Sequence, residues 1–512
     1  MLFNTIEYLF LLLPVAILGF RLLGRGPLNT SQLVWLVACS LFFYASWNPV
    51  YLLLILGSIL GNYFFGRALG RSAGGNTPLL ALGITFNLGL LGYFKYTGFF
   101  LDNLNSLVEW AIPVPHITLP LAISFFTFQQ IAYLVDVHRG DARDYSFLHY
   151  CLFVTFFPQL IAGPIVHHKE MMPQFDSPER NSATLTDIQV GLTIITLGLA
   201  KKVLLADNLA IIADPLFMSA ENGATLTMAE AWIAVLAFTG QIYFDFSGYT
   251  DMAIGSARLF GIRLPENFYS PYRSFNIIEF WRRWHITLSR FLRDYLYISM
   301  GGNRKGRVKR YRNLLLTMLL GGLWHGAHWN FVIWGGLHGS YLVINHFWHH
   351  ICRSTGFEWQ RIGVAGRVIS WSLTFLAVII AWVFFRAQST PAALSILTSM
   401  ATPDSLAIKH AYMKSMISLQ PMFDVALNTI PGLTPRALIV GFIGFALAIS
   451  VFAPNTQQLL RHFEPALVER PWPAFNGIAW RPTIGWAVAV GVLAYLSLLN
   501  LGNRSEFIYF QF

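Results

Sequence analysis

Apolar runs of about 20 residues, the length an α-helix needs to cross a bilayer, recur from one end of the chain to the other. They predict membrane segments near 6–23, 32–47, 50–66, 78–100, 118–137, 188–213, 230–257, 313–347, 368–386, 435–453 and 484–502. The first run, MLFNTIEYLFLLLPVAILGF, carries Glu7 and lacks a basic leader, so it reads as a retained span rather than a cleaved signal. The expectation is an all-α polytopic membrane protein, a single membrane domain over residues 1–512 with about eleven membrane segments.

Three stretches depart from a plain span. Residues 145–168, YSFLHYCLFVTFFPQLIAGPIVHH, are uncharged yet hold Pro158, Gly163 and Pro164. Proline removes a backbone donor, and broken backbone at membrane depth is tolerated only inside protein or along a cavity, so a re-entrant hairpin is expected. In GGLWHGAHWNFVIWGG, Gly322 with Gly326 and Gly335 with Gly339 stand four apart, which lets helices approach closely or opens room for a substrate chain beside Trp324 and His325. The third stretch, Glu279–Tyr297, is an amphipathic pattern. At 100° per residue Trp281, Trp284, Leu288, Phe291, Leu292, Tyr295 and Leu296 share one arc, and Arg282, Arg283, Arg290 and Arg293 the opposite one. His285 falls on the apolar arc, which aims it inward from a helix lying at the membrane interface.

Composition agrees with a membrane chain: 55% hydrophobic and 12% charged, about half the charged fraction of a soluble domain. Basic residues gather in alternate loops (Arg21 and Arg25, Arg67 and Arg71, Arg139 and Arg143), while the segments around Asn48, around Asp102 and Glu109, and around Asp214 and Glu221 are poor in them. Short basic loops stay cytoplasmic, so the N-terminus is expected outside. From Arg258 to Arg312 thirteen Lys and Arg face three acids, a local +10 that equals the net charge of the whole chain. Charge confined to one juxtamembrane loop points to anionic lipid or a phosphorylated metabolite rather than nucleic acid. The mixed stretch 387–434 falls outside by this topology.

Charge-free sequence from Asn313 to Cys352 surrounds His325, and an imidazole in such a place is a packing residue, a metal ligand or a base. His325, His328 and His338 lack a Cys, Asp or Glu in their segment to complete a tetrahedral set, so no metal is expected. Cys39, Cys151 and Cys352 are far apart and read as packing residues. Asp245 and Asp251 lie in QIYFDFSGYTDMAIG, an expensive place for a carboxylate, where Asp245, Ser247 and Tyr249 form either a structural network or a substrate contact.

FFPQLIAGPI (Phe156–Ile165), YFDFSGYTDMAIG (Tyr243–Gly255), FWRRWHITLSRFLRDYLY (Phe280–Tyr297), GGLWHGAHWNFVIWGGLHG (Gly321–Gly339) and FIYFQF (Phe507–Phe512) together resemble the membrane-bound O-acyltransferase family. The likeness is greatest to the branch with the alginate O-acetylation membrane subunit, and the teichoic-acid D-alanyl transferase is more distant. The resemblance implies a multi-helix fold around a central funnel, with an acyl group taken from a cytoplasmic donor and delivered outward. It implies His325, in the pattern spanning Gly322–Ala327, as the principal catalytic residue, and His285, in WxRWHxxLS, as a second one. Trp324, Asn330, Asp245 and Tyr249 become candidate substrate contacts, and Arg273, Arg282 and Arg283 candidate holders of the donor's phosphates.

The expected function is transfer of an acetyl group from acetyl-CoA, a substrate rather than a bound cofactor, toward a periplasmic or extracellular polysaccharide such as alginate. Transfer is direct or through a periplasmic esterase-like partner, in the bacterial inner membrane. Its rivals are a non-catalytic polysaccharide channel or scaffold and a metal-dependent membrane enzyme.

Overall fold

A computed structural model describes residues 1–24, 29–71, 76–108, 111–142, 145–161, 163–176, 184–356, 362–403, 429, 434–469, 472–473, 475–501 and 508. Arg25, Glu109, Arg143, most of 387–434 and all of Phe507–Phe512 except Ile508 lie outside the described residues. Among the described residues there is no strand, only an isolated bridge between Pro265 and Leu467.

Each predicted segment is helical. Among the described residues five helices are long and apolar enough to cross a membrane: Tyr51–Arg71, Thr77–Val108, Leu185–Glu221, Gly363–Arg386 and Pro435–Phe452. Side-chain caps fix where several helices begin. Asn29 and Gln32 form a reciprocal capping box ahead of Thr30–Ala45. Asn76, Ser146, Ser389 and Thr434 accept from the free amides of Thr77–Leu91, Phe147–Thr155, Thr390–Ala401 and Pro435–Phe452.

Contacts divide the chain into two compact units. The first is Met1–Leu199 with Tyr249–Asn267 and Thr456–Leu493; the second is Ala200–Gly248 with Phe268–Asn455 and Ala494–Phe512. In the first unit the broken segment expected at 145–168 is present and buried. The Phe147–Thr155 helix stops at Phe156, and the amide freed by the break, Phe157 N–H, donates to Ser40 Oγ at 3.1 Å. Gln159 Nε2 donates to the Phe153 carbonyl at 2.6 Å. The prolines thus interrupt a helix whose loose backbone groups find partners in protein.

The second unit corrects two expectations. The run 313–347 is two helices, Arg307–His325 and Trp329–Thr355, folded back on each other. The chain extends at Gly326, and His328 caps the second helix through Nδ1, which accepts from the Asn330 amide. Glycines make the close crossing possible: a Cβ on Gly322 would lie 2.1 Å from the Phe331 carbonyl oxygen, and one on Gly335 2.3 Å from that of Met318. The spacing that left two uses open therefore serves packing. The second correction concerns Glu279–Tyr297, which is broken. Ile277–Arg283 and Ile286–Phe291 are separate short helices, followed by a wide turn over Leu292–Tyr297. The break is His285, at φ 43° and ψ 56°. The stretch 387–434 also opens with order: Thr390–Ala401 is a helix burying Ala392, Ala393, Ile396 and Met400.

Candidate active site

His285 and His325 both belong to the second unit and both are buried, 1% and 5% exposed. His285 sits in the left-handed region, a conformation that non-glycine residues hold only when the surroundings over-determine it. Here the flanking Trp281, Trp284 and Leu288 are buried as the apolar arc requires, and they anchor the chain on both sides of the histidine. The His285 ring meets Phe246 edge-on at 4.8 Å between centroids and stacks over Phe268 at 6.5 Å. Burial pushes its imidazolium down to about 3, so the ring is neutral at physiological pH.

His325 is the last residue of the Arg307–His325 helix. Its ring is boxed by Trp324 at 4.9 Å, Trp334 at 5.0 Å and Phe385 at 5.3 Å. Trp324 lies against both histidines, since its ring is also 6.2 Å from that of His285. A helix C-terminus carries the negative end of the helix dipole, so positive charge forming on His325 during a reaction would be favoured. Two buried indole donors nearby, Trp334 Nε1 and Trp382 Nε1, have no hydrogen-bond partner among the described residues. Trp382 stacks on Trp334 at 6.1 Å.

Apart from Arg282, the remaining candidates have hydrogen-bond partners within the protein. Asn330 donates from Nδ2 to the Ala387 carbonyl at 2.8 Å and accepts at Oδ1 from the Thr390 hydroxyl at 2.7 Å, bracing the hairpin against the next segment. Arg273 donates to the carbonyls of Val451 and Ala453. Arg283 pairs with Glu279 at 2.8 Å and donates to the Tyr269 carbonyl at 3.2 Å. Of the three arginines only Arg282 is exposed. Tyr249 is part of the first unit, where its hydroxyl donates to Asn4 Oδ1 at 2.9 Å.

Asp245 belongs to a buried triad with two residues not singled out from the sequence. Lys202 Nζ lies 2.7 Å from Asp245 Oδ1 and 2.7 Å from Asp207 Oδ1, and the Ile508 amide donates to Asp245 Oδ2 at 3.1 Å. Lys202 is fully buried. The signal was present: a lysine and an aspartate five apart inside the apolar run 188–213. His338, a metal-ligand candidate in the sequence, accepts at Nδ1 from Trp281 Nε1 at 3.3 Å. His325, His328 and His338 do not gather their donor atoms; among the described residues the group that does is Asp136, His167 and His168, in the first unit. A groove of about 990 Å³ lined by Tyr341, Asn345, Trp348, Arg353, Arg367 and Leu373 contains neither His285 nor His325.

A helical membrane chain with two buried imidazoles set against one indole fits an acyltransferase, and comparison with known proteins supplies the family. The profile of the MBOAT, membrane-bound O-acyltransferase family matches residues 139–385, which include both histidines. The chain is 45% identical to a Helicobacter pylori peptidoglycan O-acetyltransferase over 90% of its own length and 92% of the relative's. It is 43% identical to the probable alginate O-acetylase AlgI of Pseudomonas aeruginosa, over 76% of this chain and 72% of the other. A Streptococcus thermophilus teichoic acid D-alanyltransferase is 28% identical over 44% of this chain and 57% of its own. The chain belongs to the membrane-bound O-acyltransferase family and is an O-acyltransferase.

Proposed function

We propose that this enzyme moves an acetyl group from cytoplasmic acetyl-CoA to a hydroxyl of an envelope polysaccharide, an alginate-like exopolymer or peptidoglycan, in the bacterial inner membrane. Transfer is direct or through a periplasmic esterase-like partner. The observation that carries the reading is the placing of His285 and His325 against one indole, Trp324, in a dry aromatic setting. The names of the relatives, an O-acetyltransferase and an O-acetylase, support acetyl as the group transferred.

In this reading His325 takes the proton of the acceptor hydroxyl as the oxygen attacks the thioester carbonyl carbon. The C–S bond then breaks, and the imidazolium returns the proton to the departing thiolate, giving the acetyl ester and free coenzyme A. His285, held neutral by burial, orients the acceptor or the thioester carbonyl by a hydrogen bond. The Trp334 indole N–H beside His325 is a further donor for the oxygen that gains charge in the tetrahedral state. Exposed Arg282, with other arginines of the basic loop, attracts the phosphates of coenzyme A. The test is transfer by the purified protein from labelled acetyl-CoA to a glycan oligomer. Transfer lost in His325→Ala supports the reading; a purified, folded protein that transfers nothing, to glycan or to a partner, identifies a scaffold instead.

A further inference from the structure

In the first unit, well removed in sequence from both catalytic histidines, the carboxylate of Asp136 gathers two imidazoles on a single oxygen. His167 Nε2 lies 2.6 Å and His168 Nε2 3.0 Å from Asp136 Oδ2, and all three donor atoms fall within 4.8 Å of one another. Asp136 is 3% exposed and His168 1%, while the His167 side chain keeps 19% of its surface. The scaffold holds each donor in place. Asp136 sits near the end of the Ile123–His138 helix, and the two histidines come from the start of His168–Asp176, just after the Gly163–Pro164 break. The His167 backbone is fixed by Glu170, whose Oε2 accepts its amide at 2.9 Å and whose own amide donates to its carbonyl at 2.9 Å. The His168 ring stands edge-on between Tyr133 and Tyr145, each 6.0 Å away between centroids.

We propose that Asp136, His167 and His168 form a binding site for a divalent cation of the zinc class. Two imidazole nitrogens and one carboxylate oxygen are the donor set this class takes, whereas calcium and magnesium require oxygen. The spacing is close to what the ion needs: ligands about 2.0–2.1 Å from a tetrahedral zinc stand about 3.3 Å from one another. The contacts of 2.6 and 3.0 Å therefore have to widen by under 1 Å to admit it. Ligation through Nε2 requires each neutral imidazole to carry its proton on Nδ1, so the protons now facing Asp136 move across the rings and none is released. For His167 this gives up an exposed contact, the Lys169 amide donating to Nδ1 at 3.3 Å. The fourth position opens on the partly exposed His167 side and takes water. The ion would fasten the end of the Ile123–His138 helix to the start of His168–Asp176, a structural role independent of acyl transfer.

The test uses the full chain in detergent, with an affinity tag free of histidine, stripped by chelator and titrated with Co2+ and then Zn2+ at neutral pH. The proposal expects one Co2+ per chain, displaced by Zn2+, and a thermal unfolding midpoint that rises on adding Zn2+. Asp136→Asn, which keeps the shape and the hydrogen-bond acceptor but removes the anionic ligand, should weaken binding at least tenfold and abolish the Zn2+-dependent rise. His328→Gln should bind as the wild type does. Wild-type protein that takes up no Co2+ at micromolar concentration overturns the proposal, as does Asp136→Asn binding with wild-type affinity. The first of these outcomes does not depend on whether any variant folds.

Discussion

The imidazole of His325 and that of His285 rest on the same indole, Trp324, at 4.9 and 6.2 Å between ring centroids. One histidine ends a helix and the other is the left-handed break between two short helices, so neither ring's position depends on a flexible loop. His325→Ala should abolish acetyl transfer while protein of normal amount stays in the membrane, since loss of a general base costs about 10²–10⁴-fold in rate. His285→Ala should be severely impaired, and His285→Asn should keep part of the activity, because in the proposed mechanism the neutral ring acts by hydrogen bonding. Labelled-acetyl transfer by the purified variants decides. Wild-type rates in His325→Ala would end the mechanism, and equal total loss in both His285 variants would assign proton transfer to the pair.

Lys202 is fully buried and holds both Asp207 and Asp245. Lys202→Met leaves two buried carboxylates without their cation, an imbalance that typically destabilises by about 3–5 kcal/mol. The unfolding midpoint in detergent should drop sharply, and adding Asp207→Asn and Asp245→Asn should recover much of the loss. A Lys202→Met chain that melts with the wild type would show that the triad carries little stability.

How far the sequence reveals this arrangement depends on whether a local signal marks each feature. The apolar arc over Glu279–Tyr297 correctly buries Trp281, Trp284, Leu288 and His285. It could not reveal the break at His285, because no proline or glycine marks it; packing of the flanking tryptophans imposes the left-handed backbone. The hairpin at Gly326–His328 was hidden because 313–347 holds neither a charge nor a proline, so that two antiparallel helices look like one long span. Arg273 and Asn330 hold groups distant in sequence, the carbonyls of Val451, Ala453 and Ala387 and the Thr390 hydroxyl, which no local pattern announces, whereas Arg283 has its partner Glu279 four residues before it on the same helix. Lys202 was hidden because averaging over the apolar run 188–213 dilutes its few charges, Lys201, Lys202 and Asp207.

The crossing of Arg307–His325 with Trp329–Thr355 separates two neighbouring glycines. A Cβ on Gly335 would sit 2.3 Å from the Met318 carbonyl oxygen, while one on Gly336 would meet its nearest neighbour, Leu319 Cδ2, at an ordinary 3.5 Å. Gly335→Ala should therefore destabilise by at least the ~1–3 kcal/mol of an overpacked core and displace His325, lowering activity. Gly336→Ala should be close to neutral. Thermal melting with transfer assays on the two alanine variants checks this, and equal behaviour would refute the close approach.

Glu266, in the basic loop, is buried and accepts from Trp472 Nε1 at 2.6 Å; burial raises its carboxyl from 4.5 to about 7. The folded protein then keeps a proton that the unfolded chain releases. Its contribution to stability is full below pH 4.5 and is lost as pH rises through about 7. The stability difference between wild type and Glu266→Gln should shift against the wild type across that window. A difference that stays flat with pH would show that the carboxyl titrates normally.

The arginines bear on the side from which the donor enters. Arg283 is engaged by Glu279 and the Tyr269 carbonyl, whereas Arg282, its neighbour on the same short helix, is exposed. Charge reversal at the two positions should therefore separate. Arg283→Glu should lower the unfolding midpoint by breaking an internal pair. Arg282→Glu should leave the fold intact and raise the apparent KM for acetyl-CoA, with little change in that for the acceptor. The wild-type attraction should weaken with salt, which screens charges over about 8 Å at physiological ionic strength. Inside-out vesicles with acceptor sealed within and labelled acetyl-CoA outside expose the face that the basic loop is expected to occupy. Label on the sealed acceptor, reduced in Arg282→Glu and restored by excess acetyl-CoA, supports entry of the donor from that face and passage of the acetyl group through the protein. Label only on acceptor added beside the coenzyme would place both substrates on one side and remove the through-membrane route.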